Sequence, residues 1–244
     1  MSLDLITHTN SKSPISEAYR TVRTNIQFSS VDKQIKTLVV TSSMMSEGKT
    51  TTMTNLAETF AQAGNRVVIM DADLRRPRIH QVFGVSNQQG VTNVLAGQVG
   101  LKEAIKVSGS EIHVLTSGPI PPNPSELLGS TKMKELIQIL SDNYDIVLID
   151  APPINMVTDA AVLSTFVDGV VLVVASGKTE IEAGKRALKS LEAVKANVLG
   201  AVMTMMPVTK KGYYSYQYYS YEEGVEVKKN RKLFSLKKKL GGHK

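Results

Sequence analysis

Gly48-Lys49-Thr50 closes a polar turn, Ser42-Ser-Met-Met-Ser-Glu47, and opens a threonine-rich run. A lysine ammonium, a threonine hydroxyl and the free N–H groups at a helix start can together hold phosphate. The amides face the anion, Lys49 reaches the outer phosphates and the Thr50 hydroxyl can bind Mg²⁺. Ser43, Ser46, Glu47, Gly48, Lys49, Thr50 and Thr51 form this candidate nucleotide loop. The strict spacing asks for glycine where Ser43 stands, and the tripeptide alone is common. Other residues have to decide.

Carboxylates decide it. Asp71-Ala-Asp73 follows an apolar run, and in extended chain the i, i+2 spacing puts both carboxylates on one face. A second run ends at Asp150, before Ala151-Pro-Pro. An acidic residue at such a strand end can hold Mg²⁺ opposite the loop threonine. Singly, each aspartate equally suits the N-cap of a following helix. Three of them with a Gly-Lys-Thr, all at strand ends, predict a site for ATP and Mg²⁺. Arg75, Arg76 and Arg78 follow the double aspartate, where they could stabilise phosphate charge, offset the carboxylates or pair on the surface. His8, His80, His113 and His243 are scattered without ligand spacing.

The elements that must position these groups are legible as alternating apolar runs and helix-period segments. Strands are expected over 37–41, 66–70, 112–116, 145–149, 169–175 and 198–204. Their continuous apolar character means that both faces are covered. Helices are expected over 50–63, closed by Gly64, and over 131–140 and 180–196. Another starts at Ser13-Pro14, with Ala18, Val22 and Ile26 on one face and Glu17, Arg20 and Arg23 on another. The proline-rich loop from Gly118 leads to Ser125, a plausible N-cap, and Glu126 in the next turn. The fold class is α/β: an open, doubly wound, mostly parallel sheet of P-loop NTPase type, with ligands at the carboxyl ends of the strands. Periodicity ends after Pro207. Residues 1–207 are expected as one domain and 208–244 as a mobile tail, flexible, Tyr-rich and basic.

Composition excludes several classes. The chain has 244 residues, 42% of them apolar, which suits one domain with a sizeable core. Without cysteine there is no disulfide framework, thiol nucleophile or Cys-based metal site. The longest apolar stretch, 170–175, is far short of the ~20 residues that span a bilayer. No basic region followed by an apolar run starts the chain, so no signal peptide is expected, and the body is expected to be cytoplasmic.

The formal charge of +7 is unevenly placed: residues 208–244 hold ten Lys or Arg against three Glu, and the first 207 residues balance. A neutral body with a basic end is not the footprint of a specific nucleic-acid binder.

The order of motifs resembles the bacterial protein tyrosine kinases. It runs from a Walker A loop at 43–50 through Val-Ile-Met-Asp71-Ala-Asp73-Leu-Arg75-Arg76-Pro77, Gly118-Pro-Ile-Pro-Pro-Asn-Pro-Ser-Glu-Leu-Leu and a Walker B at 146–153 to a tyrosine cluster. The likeness covers about residues 16–221. It is to the type whose kinase is a separate cytoplasmic chain at the inner face of the membrane. That type is activated by a transmembrane partner of the polysaccharide co-polymerase type and tied to capsule or exopolysaccharide synthesis.

The resemblance implies that Lys49 is the phosphate ligand, and that Thr50, Asp73 and Asp150 form the magnesium shell, directly or through water. Asp71 becomes the base toward a substrate tyrosine. With an ordinary carboxylate pKa of about 3.9 it would act late and chiefly orient the phenol. Glu17, Arg20 and Arg23 match the family's Glu-x-x-Arg-x-x-Arg subunit contact, implying a ring homo-oligomer, although the spacing alone reads as a solvated face with an i, i+3 ion pair. Many relatives have Pro-Gly where Met45-Ser46 stands. If φ is positive at Ser46, the non-glycine residue costs roughly 1 kcal/mol or more and ATP handling could suffer.

Tyr213, Tyr214, Tyr216, Tyr218, Tyr219 and Tyr221 become autophosphorylation sites, delivered to a neighbouring subunit, with other protein tyrosines as further substrates. Six phosphates would add about −9 to −12 to a tail of +7. The unmodified tail is therefore expected to favour an anionic membrane surface or an acidic neighbour, and phosphorylation to release it. Two rivals stay open. One is a partitioning or division-site positioning ATPase of the same superfamily, whose signature lysine would stand at Met44 and whose basic amphipathic membrane helix would be Lys232-Leu-Phe-Ser-Leu-Lys-Lys-Lys-Leu240. The other is a nucleic-acid module using the aromatic, basic tail, which leaves the strand-end aspartates unexplained.

Overall fold

The computed structural model describes residues 5–30, 34–109 and 111–207. The tyrosine cluster and the basic extension lie outside the described residues. In chain order the elements are α1 Ile6–Thr9, α2 Pro14–Gln27, β1 Thr37–Ser42, α3 Lys49–Gln62, β2 Val67–Asp71, α4 Ile79–Phe83, α5 Val91–Leu95 and α6 Leu101–Ala104. They continue with β3 Lys106–Val107, β4 His113–Leu115, α7 Pro124–Leu128, α8 Thr131–Asn143, β5 Ile146–Asp150, α9 Asp159–Ser164, β6 Gly169–Ala175, α10 Ile181–Ala193 and β7 Val198–Thr204. The sheet has the order β3-β4-β2-β5-β1-β6-β7, parallel except for the β3 edge.

Strand periodicity explains the two cores. Val39, Val68, Met70, Val147, Ile149 and Leu172 point to one face and meet Met133, Leu136 and Leu140 of α8, Leu163 of α9 and Leu191 of α10. Their sequence neighbours Leu38, Val40, Ile69, Leu148 and Val173 point to the other and meet Met53, Leu56 and Phe60 of α3 and Ile26 of α2. Both faces are covered, which is why the runs are continuously apolar. Truncating a central residue such as the fully buried Leu148 to Ala should cost about 3 kcal/mol.

The long helices follow their end signals. Ser13 caps α2 by accepting the Ser16 N–H, with Pro14 in the first turn, and Ser130 caps α8 through Met133. Gly64 takes the left-handed φ of +84° that stops α3. Ser125 does not cap α7 as expected: Asn123 holds that position and Pro124 begins the helix. The fixed φ of Pro124 suits the first helical position, so the helix starts two residues early, and the Ser125 hydroxyl is free for another partner. Unanticipated are β3 and the short helices α1, α4, α5, α6 and α9, all too brief to show a period.

Candidate active site

Strand register brings the expected carboxylates together. In the parallel β2–β5 pair Asp71 lies directly opposite Asp150, and Asp150 is also paired with Val40 of β1. Facing residues of adjacent parallel strands share a face at a spacing of about 4.8 Å. The loop that follows β1 therefore opens over a strip carrying Asp150 and then Asp71.

That loop is held by bonds within the protein. Gly48 has φ +85°, so its backbone calls for glycine, while a Cβ there would make only ordinary contact with the Thr204 methyl at 3.4 Å. Ser46, with φ +60°, takes the left-handed conformation without being glycine. Glu47 is buried and organises the turn: its carboxylate accepts from the Ser43 hydroxyl at 2.6 Å, the Met44 N–H at 3.0 Å and the Thr179 hydroxyl at 2.5 Å. The Thr204 hydroxyl donates to the Glu47 carbonyl at 2.6 Å, and Lys178 Nζ to the Ser46 carbonyl at 2.8 Å. The chain after β6 and the end of β7 thus clamp the loop from outside.

Lys49, Thr50, Asp73 and Asp150 converge below it. Lys49 Nζ pairs with Asp150 Oδ1 and stands 3.9 Å from Asp73 Oδ2. Thr50 Oγ1 donates to Asp150 Oδ2 at 3.0 Å. Ser46, Gly48, Lys49, Thr50, Thr51 and Asp73 line a cleft of about 310 Å³, with Met45 and Arg76 on its rim and Pro152, Pro153 and Met156 on the far wall. Ser43 and Glu47 lie behind the loop and shape it. Among the described residues no three acidic or imidazole side chains surround a metal. Two carboxylates and a hydroxyl are nonetheless hard oxygen donors, and they suit Mg²⁺, which keeps waters and takes substrate phosphates as ligands.

Asp71 differs from its partners: its carboxylate is fully buried. It accepts the N–H of Asp73 at 3.2 Å, of Arg78 at 3.1 Å and of Ile79 at 3.0 Å, so it also shapes the 72–79 turn. Burial first, and then the charge of Asp150 alongside, push it from 3.8 up to about 8, against the pull of the Ile79 amide and Lys49. Asp73 is also raised, by burial, with Lys49 opposing.

A second cluster escaped the sequence. Asp159, fully buried at the start of α9, accepts from Arg75 Nε at 2.9 Å and Nη2 at 3.2 Å, and from the Ser125 hydroxyl at 2.5 Å. Arg75 Nη2 also donates to Ser125 at 2.9 Å. This knot ties the turn after β2 to α7 and α9. Arg76 and Arg78 are exposed at the cleft. Far from these groups, Glu17 and Arg20 form the i, i+3 pair at 2.9 Å, Arg20 reaches the Ser11 carbonyl, and Arg23 donates to the Thr59 carbonyl at 2.7 Å.

A phosphate loop closed over strand-end aspartates defines a P-loop nucleotide-handling protein, and residues 35–201 match the family described as AAA domain. The comparisons narrow this further. The chain is 46% identical over 217 residues to the tyrosine-protein kinase YwqD of Bacillus subtilis, covering 88% of this chain and 92% of that one. Two solved structures superpose closely. The chimerical protein CapA2B2 has a TM-score of 0.81 at 41% identity, covering 84% of this chain and 90% of that one. The kinase domain of the Escherichia coli tyrosine kinase ETK has a TM-score of 0.80 at 33% identity, covering 85% and 84%. The chain belongs to the bacterial tyrosine-protein kinases, P-loop enzymes that transfer a phosphoryl group from ATP to tyrosine. Among the described residues no helix is long and apolar enough to cross a membrane.

Proposed function

We propose that this kinase binds ATP and Mg²⁺ at Lys49, Thr50, Asp73 and Asp150, phosphorylates its own tail in trans and acts on other proteins of a capsule or exopolysaccharide system. The observation that carries this is the convergence of Lys49, Thr50, Asp73 and Asp150 beneath the loop. Lys49 exchanges its carboxylate partner for the β- and γ-phosphates. Thr50, Asp150 and Asp73 hold Mg²⁺, directly or through water, and the ion neutralises charge developing on the phosphates. Ser46, Gly48 and Thr51 face the phosphates, with Ser43 and Glu47 as the support behind them. Asp71 takes the phenol proton; at about 8 it stands closer to tyrosine than an ordinary carboxylate does.

The acceptors are Tyr213, Tyr214, Tyr216, Tyr218, Tyr219 and Tyr221, presented by a neighbouring subunit. Glu17, Arg20 and Arg23 form the contact of a ring homo-oligomer, in which their present intramolecular partners are exchanged. A transmembrane activator of the polysaccharide co-polymerase type holds the enzyme at the inner face of the membrane. The unmodified basic tail adds attraction to anionic lipid and phosphorylation removes it.

The test is phosphotyrosine mapping by mass spectrometry after incubation with ATP and Mg²⁺, with and without the activator and with Lys49→Met as control. Hydrolysis of ATP without any phosphotyrosine would replace this reading with a positioning ATPase. Liposome sedimentation before and after phosphorylation checks the tail, and equal sedimentation would refute its role.

A further inference from the structure

The three arginines after the double aspartate are treated differently by the fold. Arg75 is committed to Asp159 and Ser125. Arg76 and Arg78 are exposed, line the same cleft as Lys49 and Asp73, and have no carboxylate in ion-pairing range among the described residues. Among the described residues the guanidinium of Arg76 meets only the Met45 sulfur, at 3.2 Å, a weak and uncharged acceptor. Their backbone is pinned, since Asp73 accepts the Arg76 N–H and Asp71 the N–H groups of Arg78 and Ile79. Two cations without an ion-pair partner among the described residues therefore stand on a turn whose backbone is pinned.

Their place in the sheet says what they face. The phosphate loop leaves β1, Asp150 ends the neighbouring β5, and this turn leaves β2, the next strand over. The turn is two strand spacings, about 10 Å, from the loop that grips the β- and γ-phosphates. In-line transfer brings the attacking oxygen to the side of the γ-phosphate opposite the β-phosphate. An acceptor that approaches past β2 would meet these two guanidinium groups.

We propose that Arg76 and Arg78 select the acceptor, favouring a tyrosine flanked by anionic groups. In this chain that is Tyr221, followed by Glu222 and Glu223; residues 212–220 carry no charge, and Lys210-Lys211 lie at the other end. Each round moves the γ-phosphoryl group of ATP to a phenol oxygen, releasing ADP and a proton. It leaves about −1.5 to −2 charges beside the next tyrosine. Phosphorylation of the tail therefore starts at Tyr221 and runs toward Tyr213. This deepens the tyrosine-kinase reading above and rests on it.

The test uses the full chain and labelled peptides of residues 212–226: native, Glu222→Gln/Glu223→Gln, and native carrying phosphate on Tyr221. Fluorescence anisotropy with Mg²⁺ and a non-hydrolysable ATP analogue measures binding without turnover. The native peptide should bind about tenfold tighter than the Gln peptide, and the phosphopeptide at least as tightly as the native one. The gap should shrink as salt rises from about 0.05 to 0.5 M. R76Q/R78Q should abolish the preference, and R76E/R78E should prefer a Glu222→Lys/Glu223→Lys peptide, an inversion that misfolding cannot produce. Time-resolved mass spectrometry, with the wild type acting on the Lys49→Met chain, should find Tyr221 modified first. Equal affinities, or a preference that survives R76Q/R78Q, would overturn the proposal even if phosphotyrosine forms. Discrimination without any phosphotyrosine would instead sink the kinase reading and leave the cationic lip standing.

Discussion

The turns after β1 and β2 both end in the cleft, and they are held in opposite ways. The turn after β1 is pinned chiefly around one buried carboxylate, Glu47, and reaches outward to Thr179 and Thr204. The turn after β2 is pinned by Asp71 from beneath and by Asp159 from α9 across the molecule. In the proposed reaction the first would hold the nucleotide and the second would meet the acceptor. Damage to the two should therefore separate nucleotide affinity from transfer.

The largest expected separation comes from Lys49→Met. Losing the cation that meets the transferring phosphate should lower phosphotyrosine formation by about 10²–10³ fold. It also leaves Asp150 buried without its charge partner, so the nucleotide-free protein should melt lower, which calorimetry can check.

Asp159→Asn should do the reverse. It weakens the Arg75 pair and the Ser125 bond without touching the phosphate loop. Because the Arg75 side chain is 39% exposed, the loss is set below that of a fully buried pair, at about 2 kcal/mol. The melting temperature should fall by about 5 °C. ATP affinity should change little while the rate of transfer to a tyrosine peptide drops. A variant that loses ATP binding as severely as Lys49→Met would erase the distinction between the two turns.

The same contrast explains what could be read in advance. The three aspartates were legible because they stand at or just after the ends of apolar runs, and Gly48, Lys49 and Thr50 because they close a polar turn that opens a helix, where local pattern and chemistry coincide. Asp159, Ser125, Thr179 and Thr204 were not, because their partners lie 34 to 157 residues away and only the folded sheet brings them together. Asp159 follows Thr158 in an unremarkable helix start, and nothing nearby signals a buried arginine pair. The six parallel strands were legible to within about two residues at each end, whereas β3 exists only because β4 offers an edge to pair with. Burial of Asp71 was also hidden: i, i+2 spacing put it on a face with Asp73 but could not say that three amides would enclose it.

The pH dependence of the nucleotide-free fold tests that enclosure. Asp71 is raised from 3.8 to about 8, so the folded state holds a proton that the unfolded chain has lost. Its contribution to stability is present below about pH 4 and is lost as pH climbs toward 8. Chemical denaturation should show this decline between those limits. A cation bound at Asp150 with ATP should reduce the decline only in part, since it would offset the charge of Asp150 while burial, the larger cause, remains. In an Asp71→Asn variant the slope should largely disappear.

The smallest effect belongs to Ser46. Its φ of +60° costs roughly 1 kcal/mol relative to an unstrained residue, and glycine would remove that strain. Glycine also widens the unfolded ensemble, which opposes the gain, so S46G should stabilise the protein by only about 0.5 kcal/mol. The consequence for ATP is sharper. The left-handed conformation is held from within the protein, by Lys178 on the Ser46 carbonyl and by the bonds of the Glu47 carboxylate, and these bonds need no nucleotide. Strain carried equally by free and bound states cancels from the binding equilibrium, so titration calorimetry should find the ATP affinity of S46G within about twofold of the wild type. An increase of about tenfold would mean that the free loop relaxes away from this geometry and that nucleotide must rebuild it. The turn after β1 would then be no more preformed than the acceptor side it is contrasted with.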